Sequence, residues 1–230
     1  MHCVSRLLLS LGLAALIGGF AGAAHAADAA KPKGLGEVGS LNSIRIEPNL
    51  DSKGFTIRGR DGRQQLFVTG VYSSGQLHDH SRKVEYAAKP DGIIKIDETG
   101  MVTPLTDGTA TITAKDASGK MATIDAKVTG VAVDIPLNFT NSIVPIFTKL
   151  GCNSGGCHGK SSGQNGFKLS LLGFYPDEDY EFLVKEARGR RMFPSSPSQS
   201  LLLTKPVGRS PHGGGKRMEV DSYEYRLIAR

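Results

Sequence analysis

The chain contains no tryptophan and only three cysteines in 230 residues, and its formal net charge is a modest +6. That excess is scattered. Arg188-Gly189-Arg190-Arg191 is the one basic cluster, and no basic stripe is interleaved with aromatics, so no nucleic-acid partner is expected. Long apolar runs are also missing. The stretch from Leu7 to Ile17 is cut by Gly18, Gly19 and Gly22 and is too short to persist as a membrane span. No nucleophile–base pair or carboxylate pair stands in a convincing local motif, so no catalytic residue is assigned and any enzymatic role stays open.

What the N-terminus does have is a basic start at Arg6, a short apolar stretch and a small-x-small ending at Ala24-His25-Ala26. This order predicts a secretory signal peptide over residues 1–26. Export to the periplasm or cell surface is expected, with no integral membrane span after cleavage. Cleavage removes Cys3 and leaves Cys152 and Cys157 as the thiols of the mature chain. In an oxidising compartment such thiols are paired, capped or put to use.

From Ser43 to Val128 the pattern is of short strands separated by turn signals. Ser43–Pro48 alternates apolar and polar, and Gln65–Tyr72 is rich in β-branched and aromatic residues. Ile93–Ile96 and Met101–Thr103 flank Asp97-Glu98-Thr99-Gly100, and Thr109–Ala114 and Met121–Val128 flank Asp116-Ala117-Ser118-Gly119. Both connections read as four-residue hairpin loops with glycine where a positive φ is wanted. The spacing predicts an antiparallel sandwich. Ile44–Pro48, Gln65–Thr69, Asp97-x-x-Gly100-x-Val102-x-Pro104 and Gly108–Ala114 resemble bacterial Ig-like group 2 domains, over residues 42–130. Tyr86 stands where many members have tryptophan. The resemblance implies a spacer or adhesion module. His78-Asp79-His80 is a His-x-His pair, but it reads as a solvated loop without further metal ligands.

After Val128 the period changes. Ile143, Ile146, Phe147 and Leu150 fall at helical spacing with Pro145 in a first turn, Asp177–Ala187 reads as a helix capped by Asp177, and Ser198–Thr204 as a short helical turn. Asp221–Arg230 begins a last helix. The expected fold class is therefore multidomain: an all-β Ig-like sandwich followed by a small all-α domain over residues 138–230, truncated at its C-terminal helix.

Inside that second half lies Gly151-Cys152-Asn153-Ser154-Gly155-Gly156-Cys157-His158-Gly159-Lys160. A phosphate loop is excluded, because its leading glycine would fall at Ser154 and no apolar strand precedes it. Zinc would need Cys152, Cys157, His158 and the distant His212, yet neighbouring Cys157 and His158 seldom reach one tetrahedral ion together. A Cys152–Cys157 disulfide in a structural surface protein is the main alternative, but leaves the adjacent histidine unexplained. Covalent haem explains it: two thiols join the haem vinyl groups and the following imidazole binds iron. The intervening residues are four rather than the common two, and two glycines and two turn-formers suit an outward bulge.

Phe147–Gly159, with Gly166-Phe-Lys-Leu-Ser170, resembles the planctomycete-type cytochrome c domain, which carries the Cys-x4-Cys-His motif. Ser200–Pro206, Pro211–Arg217 and Tyr223-x-Tyr-Arg-Leu227 resemble its later part. The resemblance implies haem c on Cys152 and Cys157, His158 as proximal iron ligand, and electron transfer with a redox partner protein or a further C-terminal domain. For the distal ligand it favours His212, with Met218 as the alternative and Met192 as a weaker one. Phe147, Leu150, Phe167, Leu169 and Leu171 are the expected apolar walls, and Arg188, Arg190 or Arg191 the expected partners of the haem carboxylates.

Overall fold

The structure is a computed structural model that describes residues 35–49 and 54–230. The expected signal peptide lies outside the described residues. Residues Gly39–Arg230 form one compact unit; of the unit before it only residues 35–38 are described, without regular structure.

Among the described residues ten strands build the larger layer: β1 (Leu41–Glu47), β2 (Phe55–Arg58), β3 (Gln64–Gln65), β4 (Phe67–Tyr72), β5 (Leu77–Asp79), β6 (Val84–Lys89), β7 (Ile94–Ile96), β8 (Met101–Pro104), β9 (Gly108–Asp116) and β10 (Met121–Thr129). They form three sheets of order β1-β4-β5, β2-β10-β9-β6 and β3-β8-β7, antiparallel except where β2 runs parallel to β10. Alternation places one side of each strand inward. On β9 the inward set is Ala110, Ile112 and Ala114; on β10 it is Ile124, Ala126 and Val128, with Ile112 opposite Ile124. With Ile44, Ile46, Ile57, Leu66, Val68, Ile94 and Val102 they make one core. Each such side chain contributes roughly 1.5–3 kcal/mol of burial, the alanines less.

Both expected hairpins form. Gly100 and Gly119 have φ of 81° and 87°, and each amide donates back to the carbonyl of Asp97 or Asp116. The single strand expected over Gln65–Tyr72 is two, because Gln65 pairs with Met101 of one sheet while Phe67 pairs with Glu47 of another. The fully buried Leu66 is the crossing point, and its amide donates to Gly100 O at 2.9 Å. The His78-Asp79-His80 stretch is not a solvated loop. His78 and Asp79 belong to edge strand β5, and His80 is buried with Nε2 2.9 Å from the Tyr72 hydroxyl.

The expected separate all-α cytochrome c-like domain is not present. After β10 the chain forms a π-helical turn (Phe139–Ile143), α1 (Val144–Lys149), α2 (Pro176–Val184), α3 (Leu201–Thr204) and α4 (Tyr223–Ala229), joined by turns and short 3-10 pieces. None of these helices exceeds nine residues. Their apolar side chains form two small clusters, around Phe147, Leu169 and Leu183 and around Leu203, Val207, Met218 and Tyr225. Helices this short are marginal alone and depend on tertiary packing. The segment also lies against the sheets within the same unit. The Tyr223 hydroxyl donates to Asp61 O at 2.9 Å, Arg63 stacks on the Tyr223 ring at 3.4 Å, and Arg230 pairs with Asp61 and Asp134. Two local expectations change as well. Asp177 lies in the first turn of α2 rather than capping it, and α4 is capped by Ser222, whose Oγ accepts from the Tyr225 amide. Among the described residues no helix is long and apolar enough to cross a membrane.

Candidate functional site

The two cysteines sit in a tight run of turns entered from α1. Gly151 takes φ 75°, a conformation that glycine adopts without strain, and the Cys152 amide donates to Phe147 O at 2.8 Å. The loop then closes on itself, with the His158 amide donating to Cys152 O and the Gly159 amide to Ser154 O, both at 3.0 Å. A Cβ on Gly159 would lie 2.0 Å from Asn153 O, so only glycine fits after the histidine. Asn153 does not bulge outward as expected. It is buried, its Nδ2 donates to the Thr148 hydroxyl at 2.9 Å, and its carbonyl accepts the Leu172 amide. Neither Gly155 nor Gly156 has a positive φ.

The loop opens onto a cavity of about 460 Å³, within the size range of cofactor sites. Cys152, Cys157, His158, His212 and Met218 all line it, and the two thiols are unbridged. Four of the five expected walls, Phe147, Leu150, Phe167 and Leu169, are in place; Leu171 is exposed and is not among the lining residues. Leu201, Leu202 and Ile228 complete the apolar surface. Sequence reading did not single out these three, since only folding brings them to the cavity. Arg190, Arg191, Lys205 and Arg217 also line the cavity, and among the described residues no carboxylate does. Arg188 and Met192 are not among the lining residues. The cavity therefore suits a ligand with an apolar body and negative charge.

The histidines are prepared alike. His158 Nδ1 is 3.0 Å from Phe167 O, and His212 Nδ1 is 2.7 Å from Gly215 O. A carbonyl only accepts, so each Nδ1 donates, which leaves Nε2 as the nitrogen turned to any metal. Burial holds the His158 imidazole below its usual range and favours the neutral ring. The two rings are stacked nearly parallel, 10° apart, with centroids 6.4 Å from one another. Met218, by contrast, is packed among Leu203, Val207 and Tyr225.

Among the described residues no three or more of His, Cys, Asp and Glu gather as a cluster able to hold a bare metal ion. Zinc would lack ligands here. A haem iron takes four from its macrocycle and needs no more than two from the protein. The cavity thus gathers two unbridged thiols, two imidazoles, apolar walls and cationic side chains, the kinds of group that haem would need. Burial pushes the Cys152 thiol up, and nearby Arg217 opposes this; an Arg217 Nη2 lies 4.0 Å from Cys157 Sγ.

No family model and no curated protein matches the chain. Among solved structures, domains 4 and 5 of the S-layer protein SbsC are similar at 18% identity and a TM-score of 0.31, over 40% of this chain and 53% of that one. A longer SbsC structure, rSbsC(31-844), is similar at 17% identity and 0.32, over 43% of this chain and 14% of that one. An intimin mutant of EHEC O157:H7 is similar at 12% identity and 0.28, over 53% and 71%. Likenesses of this size locate no functional residue.

Proposed function

We propose that the protein is an exported c-type haem protein that transfers single electrons. Cys152 and Cys157 would hold the haem through thioethers, with His158 and His212 as its iron ligands, and His158 the residue adjacent to the attachment site. The observation that carries this is the pair of imidazoles lining one cavity with both thiols, each with Nδ1 tied to a backbone carbonyl. When bound, haem supplies a one-electron ferric–ferrous couple.

The chain supplies the rest. Phe167 O fixes the tautomer and angle of His158, and Gly215 O does so for His212. Leu169 and Phe147, both buried, keep water from one side, which limits solvent reorganisation on charge change. Arg190 and Lys205 are placed to meet negative charge at the cavity. The β layer serves as an Ig-like spacer or adhesion module, and the partner is a redox protein or a further domain. Residues 1–26, with the order of a signal peptide, support export to the periplasm or surface.

The test is intact mass after co-expression with a c-type maturation system. The wild type gains one haem that survives denaturation, whereas a Cys152→Ala/Cys157→Ala double variant gains none. A wild type without added mass and with a Cys152–Cys157 bridge would support the structural alternative instead.

A further inference from the structure

Arg191 ends the basic run that starts at Arg188, yet its side chain is only 7% exposed. Its guanidinium holds three segments together. Nη1 donates to Phe182 O at 2.8 Å and Glu186 O at 3.2 Å, Nη2 donates to Gly166 O, and Nη2 pairs with Glu186 Oε2 at 2.8 Å. With its donors so occupied, Arg191 is poorly placed to clamp a ligand carboxylate. Instead its guanidinium carbon lies 4.5 Å over the centre of the Phe167 ring. Phe167 in turn packs against His158 at 4.5 Å between ring centres and accepts the His158 Nδ1 proton through its carbonyl.

We infer that Arg191 is a positioning residue that locks the Phe167–His158 pair and places a fixed positive charge behind the proximal ligand, raising the reduction potential of the bound haem. The inference rests on the haem reading above. Two features favour an electrostatic role as well as a structural one. Arg191 itself lines the cavity. Its counter-charge Glu186 is 42% exposed, so solvent screens that charge only in part, while the guanidinium is 7% exposed. A buried positive charge near the iron disfavours the ferric form, which carries one more positive charge than the ferrous.

The experiment is a redox titration of the haem-loaded full chain, followed by absorption, for wild type, Arg191→Gln, Arg191→Lys and Glu186→Gln. Arg191→Gln is expected to shift the ferric–ferrous equilibrium roughly tenfold toward ferric, and tenfold is about 59 mV for a one-electron couple. Arg191→Lys, which keeps the charge and loses the fork, is expected to recover most of that shift. Glu186→Gln is expected to move the potential the opposite way, and as a half-exposed residue it tests the idea even if Arg191→Gln fails to fold. Unchanged potentials in haem-loaded Arg191→Gln, or in Glu186→Gln where that variant alone is available, would make Arg191 a packing strut and overturn the inference alone. A wild type that takes up no haem would overturn the functional reading and this inference together.

Discussion

At the scale of single residues, the site depends on atoms that leave no slack. Gly159 is the clearest case, because a methyl group there meets Asn153 O at 2.0 Å. Gly159→Ala is expected to destabilise the protein by roughly 3 kcal/mol through overpacking, read from the urea midpoint, and a neutral result would mean the turn can open. Tyr86 gives a pH dependence. Burial pushes its hydroxyl from 10.0 up to about 12, and that hydroxyl donates to Ser81 O at 2.9 Å. The folded state thus holds the proton more tightly than the unfolded chain does. The stabilisation is complete below about pH 10 and is lost as pH rises toward 12. Tyr86→Phe should cost about 1 kcal/mol near neutrality and flatten the alkaline loss, seen by urea unfolding across that range. The Cys-x4-Cys-His run was legible because its chemistry is contiguous. His212 stood in the sequence only as one of three candidates, since a ring 54 positions from His158 comes beside it only through folding. Arg191 was misjudged, because sequence does not say which arginine of a surface-like cluster is buried.

At the scale of elements, turn chemistry was the most readable feature. Asp97 Oδ1 accepts from the Thr99 amide, the Thr99 hydroxyl and the Met101 amide. Chiefly the Thr99 hydroxyl, with the two amides, holds its carboxyl below the usual range. Asp97→Ala is therefore expected to cost about 1 kcal/mol, measured by chemical denaturation. The strand boundary at Leu66 was not readable, because a run of β-formers continues straight through a change of sheet. Leu66→Ala should cost about 3 kcal/mol, well above the effect of truncating the exposed Phe67 beside it. Helix positions after Val128 were found to within a few residues. Their assembly into an independent all-α domain was not, since helical period says which face is apolar but not what covers it.

At the scale of the whole molecule, residues 39–230 form one unit in which sheets and helical turns share contacts. One cooperative transition is expected in calorimetry. Arg230→Ala, which removes the pairs to Asp61 and Asp134, should lower or broaden it; two well-separated transitions in the wild type would contradict a single unit. This arrangement gives the cavity its rigidity, because α4 contributes Ile228 to the wall while Tyr223 anchors the same helix to the sheet layer. The most direct measurement of the central claim is the visible spectrum of the matured protein in oxidised and reduced states, repeated after denaturation in alkaline pyridine. The account requires haem bands that persist through denaturation in the wild type, and a low-spin spectrum that changes in His212→Ala but not in Met218→Leu. A colourless protein despite a working maturation control would contradict it.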